Sequence, residues 1–204
     1  MKPVQTMAIQ PTDSELVQTM RGGNRESFAE LYRRRQRDVY RFALHMTGAA
    51  DVAEDVTQEV FMMLMRKDNA FDETKGSVKA FLLGVARNYV LRRLRQERSF
   101  IPIDDAMDEA ATTDAGANDS LNQSEAIMAM HKAVLNLPAH YREAVVLCDL
   151  QELSYAEAAE VLGCAIGTVR SRLHRARTML IDKLRSAKDE SPANQEIEST
   201  RCFA

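Results

Sequence analysis

The stretch LSYAEAAEVLGCAIGTVRSRLHRARTML, Leu153 to Leu180, decides how the chain is read. Ser154 with Glu157 three residues on is a capping-box pattern, which opens a short helix over 154–162. Ala159 is small where two helices must cross closely. Gly163 supplies a turn residue able to take a positive φ. Val169 then plugs a second helix, 166–187, onto the first. A small residue, a glycine four later and an apolar residue six after that is the spacing of a helix-turn-helix.

At 100° per residue, Ile166, Val169, Leu173, Ala176 and Leu180 fall on one side of the second helix and are expected to be buried. Thr168, Ser171, His174, Arg175 and Thr178 lie opposite, with Arg170, Arg172 and Arg177 on the two edges. A helix entering a DNA major groove needs this layout: short polar or bidentate groups towards base edges, and cations at the sides for phosphates. The plainer reading is an amphipathic helix with a solvated arginine face. It is weakened because no Asp or Glu stands between Arg170 and Thr178.

Outward from this motif nearly everything is helical in period, so the fold class is all-α. Proline occurs only at positions 3, 11, 102, 138 and 192, outside the periodic segments. The spacing predicts helices from Asp13, as N-cap, to Gly22-Gly23, then over 25–47, 51–67, 77–98, 121–136 and 138–150, with Pro138 in a first turn. Val52, Val56, Val60 and Leu64 form the apolar stripe of 51–67. Val78, Phe81, Leu82, Val85 and Tyr89 are the inward face of 77–98. Residues 99–123 are acidic, rich in small residues and aperiodic, and read as a flexible linker. The expected organisation is an N-terminal extension with a short helix (1–24), a helical domain (25–98), the linker (99–123), a helix-turn-helix domain (124–187) and a disordered tail (188–204).

Charge is segregated along the chain, although the net value is only −3. Residues 25–98 carry 15 Lys and Arg against 11 Asp and Glu, 99–125 carry no base and 7 acids, and 126–187 carry 8 against 6. Two mildly basic blocks joined by an acidic strap suit two modules touching one polyanion. No stretch approaches the roughly 18 apolar residues a membrane helix needs, and the N-terminus lacks a secretory pattern. Three widely spaced cysteines suit a reducing compartment, so a cytoplasmic location is expected. Cys148 and Cys164 are expected in the core, and His45, His131 and His140 at the surface or as caps rather than as metal ligands.

Two helices of the first block carry further candidate groups. On 51–67, Glu54, Asp55, Gln58 and Glu59 share a polar face interrupted by Met62 and Met65. This mixture suits a protein partner with a basic patch, although the helix alone reads as a plain solvated face. No histidine lies in it and no Gly-rich loop or HExxH pattern accompanies it, so neither a metal, a cofactor nor a small-molecule substrate is expected. The helix 77–98 ends with Arg87, Arg92, Arg93, Arg95 and Arg98 against the single acid Glu97. Cations favour a helix C-terminus, but five exceed that need and point to a nucleic-acid backbone.

The succession FAELYRRRQRDVYRFA, AEDVTQEVF, GSVKAFLLGVARNYVLRRLRQ, an acidic linker and LPAHYREAVVLCDLQELSYAEAAEVLGCAIGTVRSRLHRAR resembles extracytoplasmic-function sigma factors from Ser27 to Leu184. The resemblance implies a sigma-2-like helical bundle and a sigma-4-like helix-turn-helix, with core RNA polymerase, promoter DNA and an anti-sigma factor as partners, and no enzymatic activity. It implies that Glu54, Asp55, Gln58, Glu59 and Met62 face the polymerase. Phe71, Lys75, Ser77, Lys79, Arg87, Asn88, Arg92 and Arg93 would hold the opened −10 strand. Thr168, Arg170, Ser171, Arg172, His174, Arg175 and Arg177 would read the −35 element. Phe81 stands where family members usually carry tryptophan, so stacking on a melted base falls to Phe71, Phe81 or Tyr89. Two other classes stay open on the residues themselves: a dimeric stand-alone regulator using the same helix-turn-helix, and an enzyme using Glu54, Asp55 and Glu59.

Overall fold

The computed structural model describes residues 10–66, 71–99 and 121–189; within it, only the backbone is described for 97–99, 121–126 and 186–189. The expected linker and tail therefore lie almost wholly outside the described residues. The described residues are helical, with no strand among them. The elements are α1 (Asp13–Arg21), α2 (Arg25–Thr47), α3 (Ala50–Met65), a 3-10 turn (Glu73–Lys75), α4 (Val78–Ser99), α5 (Leu121–Leu135), α6 (Ala139–Val145), a π-helical turn (Val146–Leu150), α7 (Tyr155–Leu162) and α8 (Ile166–Asp189).

Local chemistry sets most of the boundaries. Thr12, not Asp13, caps α1: its hydroxyl accepts from the Glu15 N–H and the Glu15 carboxylate returns to the Thr12 N–H at 2.7 Å. This leaves the Asp13 carboxylate to bind Arg34 and Arg35 of α2 at 3.4 and 2.5 Å. Asn24 caps α2, and Gly48 ends it in the left-handed region at φ 75°. Ser77 accepts from the Ala80 N–H at 3.2 Å and starts α4. The single helix expected over 138–150 is two segments: Pro138 is the N-cap of α6, and the backbone widens into the π-helical turn at Val146. There Gln151 N–H reaches back five residues to the Val146 carbonyl at 2.9 Å. Glu152 follows with φ 59°, a conformation L-residues rarely adopt.

The N-terminal half is a bundle of α1–α4, with Leu31, Val39, Phe42, Met46, Val56, Val60, Leu64, Leu82, Leu83 and Val90 in its core. In the C-terminal half, α6 and α7 pack on α8 through Val145, Leu147, Ala158, Ala159, Val169, Leu173 and Ala176. The halves touch: α4 packs on α7, and α2 packs on α5 and α6. This alters the reading of α4. Besides Val78 and Leu82, its Ala80, Leu83, Ala86 and Val90 are buried, while Phe81, Val85 and Tyr89 are half-buried. The helix is covered by α2 and α3 on one side and α7 on another, so it lacks one inward stripe. Similarly, Ile166 is 43% exposed rather than buried, because it lies at the first turn of α8 beyond the reach of α6.

His45 of α2 and His131 of α5 are neither surface groups nor caps. Their rings meet 5.0 Å apart between the halves. His45 Nδ1 and His131 Nε2 are buried with no hydrogen-bond partner. Burial, then the neighbouring His131 and Arg41, lowers the His45 pKa from the ordinary 6.5 to about 4, and burial lowers that of His131. A neutral imidazole is thus favoured in the folded state. The stabilisation is present above pH 6.5 and is lost as the pH falls towards about 4, because the unfolded chain takes up the proton first. The urea midpoint is expected to fall across this interval, and His45→Gln is expected to flatten the fall. A second expectation concerns Gly48. A Cβ there would meet the Leu135 side chain of α5 at 3.0 Å, on a backbone with φ +75°. Gly48→Ala is expected to cost about 1–2 kcal/mol from backbone strain alone, measured by urea unfolding.

Candidate nucleic-acid interface

The helix-turn-helix forms as its sequence dictates. The capping box of α7 is closed from both sides: the Glu157 N–H donates to the Ser154 hydroxyl at 3.2 Å, and the Ser154 N–H donates to the Glu157 carboxylate at 3.1 Å. Gly163 turns the chain at φ 64°, ψ 39°, and Val169 is fully buried where α8 crosses α7. The face of α8 opposite this contact carries Arg170, Ser171, His174, Arg175, Arg177 and Thr178, all exposed, with Thr168 and Arg172 half-buried at its edges.

Three of these arginines are oriented by side chains from earlier in the chain. Arg170 lies over the Tyr155 ring at 5.9 Å, and Arg175 Nη1 points to the Tyr141 hydroxyl at 3.5 Å. Arg177 donates twice to Asp149, at 2.6 and 3.1 Å, and this pairing raises its pKa further. The absence of acids between 170 and 178 in the sequence therefore does not leave Arg177 unpaired; its counter-charge arrives from the π-helical turn. Ser171 Oγ donates to the Thr168 carbonyl at 3.0 Å, and the side chain is exposed.

On α3, Glu54, Asp55, Gln58 and Glu59 are exposed and Met62 is 56% exposed beside Met65. Asp55 binds Arg93 of α4 at 2.9 Å, so two residues expected in separate sites hold each other on the surface.

The residues expected to hold an opened strand converge on the loop 71–77 and the outer side of α4. A cleft of about 290 Å³ is lined there by Phe71, Lys75, Gly76, Phe81 and Asn88, with Glu160 and Val161 of α7 across it. Phe71 is no free stacking platform: it is 6% exposed, edge-on to Phe81 at 5.4 Å. Arg92 lies over the Tyr89 ring at 5.0 Å. Three of the group are engaged by the C-terminal half. Ser77 Oγ binds Glu157 at 2.6 Å, Lys79 Nζ donates to the Gln151 carbonyl at 2.6 Å, and Arg87 is bidentate on Glu143 at 2.8 and 3.3 Å. The Arg87 and Glu143 side chains are 20% and 5% exposed.

Sequence reasoning missed Glu143, Asp149, Gln151 and Glu157 as partners, and Arg142, which donates to the Met46 carbonyl at the end of α2 at 2.6 Å. Only Glu143 left a signal, as a carboxylate inside the apolar run EAVVL. Cys148 and Cys164 are half-buried, and burial followed by Asp149 pushes the Cys148 thiol up to about 11. Among the described residues no cluster of three or more His, Cys, Asp and Glu is arranged to hold a metal ion, and no helix is long and apolar enough to cross a membrane.

Comparison with known proteins places this architecture. Residues 31–100 match the family Sigma-70 region 2 and residues 127–180 match Sigma-70, region 4. The chain is 34% identical over 169 residues to ECF RNA polymerase sigma factor SigE of Mycolicibacterium smegmatis, covering 81% of this chain and 64% of that protein. It is 32% identical over 171 residues to ECF RNA polymerase sigma factor SigM of Mycobacterium tuberculosis, covering 83% of each. Among solved structures, the sigma factor RpoE in complex with the anti-sigma factor NepR from Bartonella quintana superposes with a TM-score of 0.60 at 26% identity, over 84% of this chain and 93% of that one. CnrH in complex with the cytosolic domain of CnrY gives 0.64 at 22% identity, over 85% and 97%, a likeness of fold. With both matched regions in order and relatives aligned along most of its length, the chain belongs to the extracytoplasmic-function RNA polymerase sigma factors of the sigma-70 family.

Proposed function

We propose that this protein is an alternative sigma factor that binds core RNA polymerase in the cytoplasm and directs it to a particular set of promoters, with no catalytic activity of its own. In this reading residues 25–98 form the polymerase-binding and −10 unit, 124–187 the −35 unit, and 99–123 the tether between them. The exposed side of α8 reads the −35 major groove through Arg170, Ser171, His174 and Arg175, while Thr168, Arg172 and Arg177 meet the flanking backbone. The acidic and methionine face of α3, Glu54, Asp55, Gln58, Glu59 and Met62, meets a basic surface of the polymerase. Lys75, Ser77, Lys79, Arg87, Asn88, Arg92 and Arg93 hold the opened −10 strand, with Phe71 as a wall of the cleft rather than a stacking surface. An anti-sigma protein holds the factor inactive, a reading supported by the similar sigma factor RpoE of Bartonella quintana, whose structure is a complex with the anti-sigma factor NepR.

The observation that carries this reading is the row of exposed groups on α8 opposite its buried Val169–Leu173–Ala176 seam. Transcription by purified core polymerase on a library of genomic fragments tests it: the protein is expected to stimulate a defined subset, and failure to stimulate any sinks the proposal. On a promoter so identified, Arg175→Ala is expected to cost about 1–3 kcal/mol of discrimination at one −35 position. An equal loss on all sequences would instead mark a phosphate contact. Asp149→Ala is expected to shift binding by the same factor on all sequences and to leave base preference intact, because Asp149 pairs with Arg177, which meets the backbone, and touches no base-reading group.

A further inference from the structure

The C-terminal half presents three carboxylates, Glu143, Glu157 and Glu160, to the strand-binding side of the N-terminal half. Glu143 neutralises Arg87, Glu157 accepts from Ser77, and Glu160 lines the cleft beside Gly76 and Asn88. The Gln151 carbonyl occupies Lys79. A single DNA strand would offer phosphate oxygens to the same donors: a bidentate acceptor for the guanidinium, a charged acceptor for the ammonium and an acceptor for the hydroxyl. The carboxylates and the strand therefore compete for one set of groups, and like charges exclude them from being there together.

Packing supports the polar contacts. Gly84 of α4 has no side chain where α7 approaches, and a Cβ there would lie 3.9 Å from Val161. Leu135 covers Gly48, the two imidazoles meet between α2 and α5, and Arg142 clips the end of α2. The exposed side of α8 stays outside these contacts, since Arg170, Ser171, His174 and Arg175 are all exposed while the halves are together.

We infer that the free sigma factor closes on itself, its C-terminal half standing in for the −10 strand on Ser77, Lys79 and Arg87, so that strand binding requires the halves to part while the −35 reader remains accessible. This rests on the reading of those three residues as strand-binding groups. It locates part of the factor's restraint in its own chain, separate from any anti-sigma partner.

The test uses the full chain without polymerase. Small-angle scattering reports closure, and anisotropy of a labelled random-sequence 24-nucleotide single-stranded DNA pool reports strand binding, with a random duplex of the same length as control. Glu143→Gln is expected to expand the particle and to tighten single-strand binding on the order of tenfold, as expected when a competent state rises from a minor population. Circular dichroism confirms that the variant is folded. A second variant joins the halves covalently: Gly84→Cys with Val161→Cys, the three native cysteines replaced by alanine. Its oxidised form is expected to lose single-strand binding, to recover it on reduction, and to bind the duplex equally in both states. Oxidised and reduced forms binding the single strand alike, or a wild-type chain already extended in solution, overturns the inference. Closure seen by scattering, together with Lys79→Ala/Arg87→Ala binding the single strand as wild type does, overturns it through the site assignment.

Discussion

A carboxylate as deeply buried as Glu143 needs a cation against it, and in this chain the cation comes from the other half of the molecule. The Arg87–Glu143 pair is bidentate and nearly dry. Such pairs contribute little net stability compared with apolar packing, but breaking one by removing a partner costs about 3–5 kcal/mol. Its main effect is specification. With Arg87 on α4 and Glu143 on α6, the register of one half on the other is fixed, and the remaining contacts follow: α7 lies along α4, Lys79 meets the end of the π-helical turn, and Arg142 reaches the last turn of α2. Parting the halves must rehydrate both charges together, which is far less costly than leaving either one alone in the interface.

The same constraint explains why α4 has apolar residues on more than one face. A helix that only completed a bundle would show a single stripe. Here Gly84, Val85 and Ala80 meet the C-terminal half or line the cleft at its edge, while Leu82, Leu83 and Ala86 serve the bundle core. Its cations follow a gradient. Lys79 and Arg87 are engaged where α7 and α6 pack, whereas Arg92 and Arg93, further along, rest on Tyr89 and Asp55 at the surface. The helix is thus divided between a covered first part and an exposed second part.

How much of this was legible depends on sequence distance. The helix-turn-helix was readable because its determinants are local: Ser154 with Glu157, Gly163, and the Val169–Leu173–Ala176 seam lie within a few turns of one another. The buried and exposed sides of α8 follow the angular reading except at the first turn, where Ile166 is exposed and Thr168 half-buried because the helix end overrides their angles. The cap of α1 moved by one residue because Thr12 and Asp13 are both good caps, and Asp13 is taken by two arginines more than twenty residues away. The π-helical turn at 146–150 has no signature in a run as uniformly apolar as VVL. The pairing of Arg177 with Asp149, and of three strand-binding candidates with the other half, are long-range facts that no periodicity encodes. His45 and His131 looked like surface groups for the same reason: each is polar in isolation, and only the fold makes them neighbours.

The chemistry of the interface also explains why it can be both specific and reversible. Among the described residues, hydrogen bonds from Ser77, Lys79, Arg87 and Arg142 join the halves, alongside modest apolar contacts such as Val161 on Gly84 and Leu135 on Gly48. Hydrogen bonds exchange with water at a net cost of only about 0.5–1.5 kcal/mol each, somewhat more where a charge takes part. An interface built this way holds one geometry firmly while its total free energy stays within reach of a binding partner. A ligand shifts such an equilibrium only by its differential affinity for the open state, and about 5.5 kcal/mol is enough to invert a 99:1 preference. A polymerase that engages α3, with a −35 element that engages α8, at positions too far apart for the closed arrangement would supply that difference without touching Arg87 or Glu143. On the inference drawn above, Glu143 and Glu157 would then move away from Arg87 and Ser77, leaving the groups proposed for the −10 strand free to bind it.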